Sequence, residues 1–409
     1  GVNITDCRTQ VDGGALLVYL SNTGMSLTEV AISGCSAGFN GGALYVYQYN
    51  DYMSLTGVNM TGCSAGDSGG ALYVHMYNLG ISVLGAHVNS CSASAGGGIL
   101  IYSSNGYFAM ASSWITNCTA TGATNVVSGS GFGGGVLIFQ DNNYASITDS
   151  IFRYNSAVRG GALQLDGDNS FALIAGCVFA DNAASKAGGG LYVSSGNPNL
   201  VITDGRGGNM SIVLQTPHPY VAAGSMASGQ PDVIYNETVA MLDTTGYLLN
   251  FDPATSLYFA DTLTIYNNCV DRNVLAVYHA TTDYPGVNLP SLHVNQSSFY
   301  VEFVGGTSSN TSNDNTSYGF TLYVNPVVVS PAVPTSFVDN KAGTYGAGMY
   351  VSNALLFPVV INSRFVCNSA ASAGGGLFVD YDVVGLTLLV VLFVDNEAKF
   401  NGGAVVLMS

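Results

Sequence analysis

Residues 35–47 read CSAGFNGGALYVY and residues 63–75 read CSAGDSGGALYVH. The two stretches lie 28 residues apart, and the same phase extends to Cys7 with Gly13-Gly14-Ala15 and to Cys91 with Gly97-Gly98-Ile99. A unit of 28 residues cannot enclose a core of its own, so it must bury its apolar face against the next copy. Within each unit, runs such as Leu44-Tyr45-Val46-Tyr47 alternate with period two between Gly and Asn, which is a strand signature, and no helical period competes with it. Strands that recur once per unit, joined by links too short for a crossover helix, pair most simply with their own copies, in parallel and in register. The expected fold is therefore all-β: a parallel β-helix, right-handed by the general preference for such connections.

The pattern continues beyond these copies. The glycine step recurs at Gly134-Gly135-Val136, Gly160-Gly161-Ala162, Gly189-Gly190-Leu191, Ala347-Gly348-Met349, Gly375-Gly376-Leu377 and Gly402-Gly403-Ala404. Upstream of each step an apolar residue is followed three positions later by Cys in early units (Ile4 to Cys7, Ile32 to Cys35, Ile115 to Cys118) and by Asn in later ones (Phe152 to Asn155, Phe365 to Asn368, Phe393 to Asn396). Regular rungs are expected over 1–200 and 331–409. Between 201 and 330 the step is lost, and Leu275–Tyr278 and Leu322–Val324 read as degenerate rungs, with Gly205–Ser256 and Gly305–Tyr318 as extruded insertions. About twelve rungs at roughly 4.8 Å each would give a solenoid of about 55–60 Å.

Stacking in register turns every repeat position into a column. The glycine column suits sharp corners; a phosphate cradle would need a helix after it. Asn22, Asn50, Asn78, Asn105, Asn142, Asn169 and Asn197 form a second column, expected to hydrogen-bond from rung to rung. Asp166, Asp168 and Asn169 are the best local candidates for calcium, although the spacing lacks the other ligands of a known loop; no cofactor is expected. Cys7, Cys35, Cys63, Cys91 and Cys118 form one column, and a rung spacing of about 4.8 Å allows either disulfides between neighbours or a buried stack of thiols. Cys177, Cys269 and Cys367 are out of that phase, and the five scattered histidines with no Cys-x-x-Cys pair argue against zinc. In Ala-Leu-Tyr-Val the Leu and Val share the inner face, leaving Leu17, Tyr45, Tyr73, Ile101, Tyr192, Tyr323, Tyr350 and Phe378 as an outward stripe that could contact a glycan or protein.

Only 8% of residues are charged, while 52 are Gly and 25 are Tyr, and the net charge is −16 with nine Lys plus Arg. A chain so poor in cations has no patch for a phosphate backbone or an anionic membrane. No apolar run is long enough for a membrane helix. Eight Asn-X-Ser/Thr sequons, at Asn3, Asn59, Asn117, Asn209, Asn236, Asn295, Asn310 and Asn315, together with eight cysteines, point to an extracellular glycoprotein. The chain does not begin with Met and shows no signal peptide, as expected of a mature, trimmed or partial polypeptide. Catalysis on polysaccharides would need clustered carboxylates or a carboxylate-bound cation with a base. Arg153 and Arg159 near Asp166 and Asp168 are the one place where both kinds of group fall on adjoining rungs, and an enzyme is not expected.

The paired signatures Phe152-Arg153-Tyr154-Asn155 with Gly160-Gly161-Ala162-Leu163, and Phe393-Val394-Asp395-Asn396 with Gly402-Gly403-Ala404-Val405, resemble the repeats of the polymorphic outer-membrane proteins of chlamydiae and of related β-helical surface proteins of eukaryotic microbes and algae. The resemblance covers about two thirds of the chain. It implies a surface-displayed body engaged in adhesion or coat formation. The sequons suit a eukaryotic secretory route, and no C-terminal membrane barrel follows the repeats in this stretch. The leading expectation is a non-enzymatic structural segment or subunit of an extracellular fibre, filament or coat, packing against copies of itself or a related chain. Its motive is that the repeat pattern opens and closes inside a rung, which exposes unpaired strand edges. The alternatives are an adhesin that uses the stripe and a polysaccharide lyase or hydrolase.

Overall fold

The computed structural model describes residues 1–122, 131–204, 334–352 and 355–408, and between them the segments 212–215, 232–240, 246–251, 262–267, 272–279, 292–294, 298–305 and 321–327. The chain divides into two compact units, Gly1–Gly208 with Val333–Ser409, and Asn209–Ala332.

The first unit is a parallel β-helix. Each turn contributes up to four short strands, exemplified by Val2–Thr5, Arg8–Thr9, Leu16–Leu20 and Ser26–Thr28 in the first turn. Copies of these four strands stack into parallel sheets of ten, ten, ten and nine strands. Among the described residues there are thus ten turns, not twelve, and at about 4.8 Å per turn the body is roughly 45 Å long. The period-two alternation decides which side chains fill it: in the second turn Ile32, Leu44, Val46, Met53 and Leu55 all point inward and are fully buried. Each large aliphatic residue so buried contributes about 1.5–3 kcal/mol. Further along, the interior column of the first sheet becomes a stack of phenylalanines, Phe152, Phe179, Phe337, Phe365 and Phe393, with ring centroids 4.6–4.9 Å apart.

The corner before the third sheet explains the glycine step. Gly13, Gly41, Gly69, Gly96, Gly133, Gly160, Gly188, Gly346, Gly374 and Gly402 occupy one column, with φ between 52° and 66°. A Cβ at Gly69 would also lie 2.4 Å from the Leu72 carbonyl oxygen, so both the backbone angle and the space call for glycine. This column corrects the register expected from sequence. Leu72 pairs with Ile99, so the fourth copy is Gly96-Gly97-Gly98 and not Gly97-Gly98-Ile99. Where three small residues run together the sequence allows two phases, and only the left-handed corner selects one.

The coil resumes in register after the intervening stretch of sequence. Val178–Ala180 pairs with Ser336–Val338, and Leu191–Val193 pairs with Met349–Val351. Among the described residues the second unit contains two four-stranded sheets whose paired strands are antiparallel. Leu275–Tyr278 lies in the strand Val274–His279, which pairs with Thr262–Tyr266. Leu322–Val324 lies in Thr321–Val327, between Ile212–Gln215 and Gly246–Phe251. Neither is a degenerate rung. Apolar alternation marks a strand but carries no information on the direction of its partner. Among the described residues no helix is long and apolar enough to cross a membrane.

Candidate functional site

The outward stripe is the first place to look for a contact surface. Its observed column runs Leu17, Tyr45, Tyr73, Leu100, Leu137, Gln164, Tyr192, Tyr350, Phe378 and Val406. Two expected members are misplaced. Ile101 pairs with Val74 and Ile138 and is buried in the interior, because the one-residue slip at the glycine step moves it to the opposite face. Tyr323 lies in an antiparallel strand of the second unit.

The stripe is also covered. Tyr45, Tyr73, Tyr192, Tyr350 and Phe378 are only 5–8% exposed, and only Leu17, at 50%, is open. The link entering the third sheet folds back over the column and forms one of its own, with bridges from Ser68 to Ala95 and from Tyr345 to Ala373. Ala95 packs with Tyr45 and Tyr73, and Ala187 and Ala373 pack with Tyr192, Tyr350 and Phe378. Burial raises the tyrosine pKa at Tyr45, Tyr73 and Tyr192. At Tyr350 burial does so first, and the hydrogen bond to Asp380 second. Apart from Leu17, these members of the stripe form a second, outer layer of core.

Two residues further along the same strands is a column that sequence reading missed. Tyr19, Tyr47, His75, Tyr102 and Phe139 stack with centroids 5.0–5.5 Å apart and planes within 7°. Ring faces inside such a column are occupied by neighbouring rings, so a sugar would meet ring edges and not a platform. His75 sits mid-stack with Nδ1 buried and without a hydrogen-bond partner, and burial lowers its pKa, opposed weakly by Asp12. Its signal was present as the second aromatic position in Leu44-Tyr45-Val46-Tyr47.

The asparagine column is a continuous hydrogen-bond ladder. Each backbone N–H from Asn22 to Asn169 donates to the Oδ1 of the next member, at 2.9–3.2 Å. Asn169 is fully buried and engaged in it: Nδ2 donates to Phe139 O, Gly167 O and Asn197 Oδ1, while Oδ1 accepts from the Asn142 N–H. Beside it Asp166 is half-buried and Asp168 exposed. Among the described residues no three His, Cys, Asp or Glu side chains gather where a metal could sit. The neighbouring arginines are engaged elsewhere. Arg153 pairs with Asp181 at 3.0 Å, and the Arg159 guanidinium lies over the Phe132 and Tyr192 rings, 5.3 and 5.5 Å from their centroids.

The cysteine column continues as a second asparagine ladder. Cys118 N–H donates to Asn155 Oδ1 at 2.9 Å, and Asn155, Asn182, Asn340, Asn368 and Asn396 follow in the same way. Upstream, the Cys7 N–H donates to Cys35 Sγ at 3.3 Å. All seven described cysteines are free thiols, so the five-membered column is a thiol stack and not a set of bridges. The side-chain hydrogen bond with its successor, which holds the proton on the thiol, and burial push the thiol pKa well up at Cys63 and Cys91. Cys177 belongs to a third ladder, with Ser113 donating to Ser150 Oγ at 3.1 Å and Cys177 to Thr335 Oγ1 at 3.3 Å. Burial pushes its thiol up to about 12. Cys367 is exposed at a left-handed corner, and Cys269 lies outside the described residues.

Three sequons are placed. Asn3, Asn59 and Asn117 are exposed, the first two in one outward column of the first sheet with Ala31 between them. The Thr61 hydroxyl donates to Asn59 Oδ1 at 2.8 Å, and Asn117 Nδ2 donates to Asn89 Oδ1 at 3.0 Å. Asn236 is in the strand Asp232–Ala240, while Asn209, Asn295, Asn310 and Asn315 lie outside the described residues. No protein-family model matches this chain, and no curated protein matches it in sequence.

Proposed function

We propose that this chain is a non-enzymatic structural glycoprotein of the extracellular or cell-surface space, a rigid β-helical segment or subunit of a fibre, filament or coat that packs with copies of itself or a related chain. The observation that carries the reading is the use of its side chains. Polar, thiol and aromatic columns all engage their own copies one turn away, which stiffens the coil and leaves few groups for chemistry on a ligand. Exposed Asn3, Asn59 and Asn117 give attachment points for N-linked glycans on an otherwise weakly charged surface. The likeness to β-helical surface-protein repeats supports the same assignment.

The test is secretion from a eukaryotic host, followed by intact-mass measurement before and after enzymatic deglycosylation and by electron microscopy of the secreted material. Glycan mass that maps to Asn3, Asn59 or Asn117, with ordered assemblies in the images, is the expected result. Secreted protein that carries no glycan and stays dispersed at every concentration examined would overturn the proposal.

A further inference from the structure

Outside the buried stripe, parallel stacking places tyrosines of adjacent turns face to face at the surface. Tyr49 and Tyr77 have centroids 5.5 Å apart and planes 11° apart, and they are 51% and 44% exposed. Both occupy a left-handed corner, with φ of 56° and 57°, so the backbone holds the two side chains in the same attitude. Tyr19 with Tyr47, and Tyr107 with Tyr144, repeat the geometry at 5.0 Å and 7°, with Tyr19 and Tyr107 exposed. The buried pairs Tyr45 with Tyr73 and Tyr192 with Tyr350 are stacked as closely, at 5.1 and 4.9 Å, but are enclosed by side chains.

We infer that the exposed stacked pairs, Tyr49–Tyr77 first among them, are sites of oxidative phenol coupling, at which a peroxide-driven oxidant joins consecutive turns through a dityrosine bond. Each phenol gives up one electron and one proton. The two phenoxyl radicals form a carbon–carbon bond between ortho positions, and the displaced ring hydrogens move to the phenoxyl oxygens as the rings regain aromaticity. Overall two tyrosines lose two hydrogen atoms while one hydrogen peroxide becomes two waters. A face-to-face pair is already at the encounter geometry, which removes the diffusional step that limits coupling between free phenols. The product needs its rings to swing from stacked to edge-joined. Exposed side chains can make that movement, whereas Tyr45 and Tyr73, packed under the folded-back link, cannot. The inference does not depend on the proposed structural role.

The experiment treats the full chain, dilute enough to disfavour contacts between molecules, with hydrogen peroxide and a peroxidase. Dityrosine fluorescence is read in the monomer fraction, and tandem mass spectrometry locates the link. The expected result is an intramolecular Tyr49–Tyr77 cross-link, absent for Tyr45–Tyr73, and lost in both Tyr49→Phe and Tyr77→Phe, with the circular dichroism of each variant matching the parent. Coupling found only between molecules, or spread without preference over tyrosines that are not stacked, or no coupling at Tyr49 and Tyr77, would overturn it.

Discussion

His75 shows how a single residue can conflict with its column. Its ring continues the stack between Tyr47 and Tyr102, with centroids 5.1 and 5.5 Å away, but a buried Nδ1 without a partner makes the charged form costly. Burial accordingly lowers its pKa below the ordinary 6.5. The unfolded chain therefore binds more protons than the folded one just below pH 6.5. The contribution of this site to stability is complete above that pH and is lost as the pH falls toward the folded-state value. His75→Phe keeps an aromatic ring in the stack and removes both the ionisation and the orphan nitrogen. Melting temperatures followed from pH 7.5 to 5 should fall less steeply for the variant than for the parent. Parallel slopes would show that His75 does not titrate against the fold.

At the scale of one element, the ladder that begins as Cys and continues as Asn raises a question of equivalence. Asn155 accepts from Cys118 N–H and donates to the carbonyl of Ile115 and to Asn182 Oδ1. Asn155→Ala leaves the Cys118 N–H buried without its partner and should cost about 1–3 kcal/mol in urea unfolding. Asn155→Cys should cost less, since Cys35 Sγ already accepts the Cys7 N–H at this position in the coil. Equal losses for Ala and Cys would show that sulfur does not stand in for the amide. This exchange was legible in the sequence because both residue types sit three places after an apolar residue, at Ile115 to Cys118 and Phe152 to Asn155. The burial of Tyr45 and Tyr73 was not. Period two assigns them to the outer face correctly, but the covering link is built from Ser68 and Ala95, small residues with no periodic mark of their own. Cys177 escaped its ladder for a similar reason, since its column mates are Ser113, Ser150, Thr335 and Ser363, and hydroxyl-for-thiol exchange leaves no repeated letter.

For the whole molecule, the decisive relation is between the two halves of the coil that are far apart in sequence. Residues 205–334 separate them, yet Thr203 follows Ala175 in the fourth sheet, and Ser336 follows Val178 in the first. The one-turn partners of Gly176 and Cys177 are therefore Asp204 and Thr335: the Gly176 N–H donates to Thr203 O, and the Cys177 N–H to Thr335 Oγ1. A chain in which Asp204 is joined directly to Thr335 would restore the spacing of its neighbours without a gap or an extra residue. The corner at Asp204 would have to adopt positive φ, as Gly176 does at 61°, and Asp149 already does so one turn earlier at 47°. The interior needs no repair, because Phe179 stacks on Phe337 at 4.9 Å, and Asn182 donates to Asn340 in the existing fold. Deletion of 205–334 should give a soluble β-rich protein with a single cooperative unfolding transition and a melting temperature close to that of the parent coil. The cooperative transition is the critical observation, since among the described residues the two stretches of sequence are joined by one parallel strand pair in each of the four sheets, Val178–Ala180 with Ser336–Val338 in the first. If the shortened chain melted in two steps or without cooperativity, the second unit would be a structural requirement of the coil and not an insertion into a corner that can close without it.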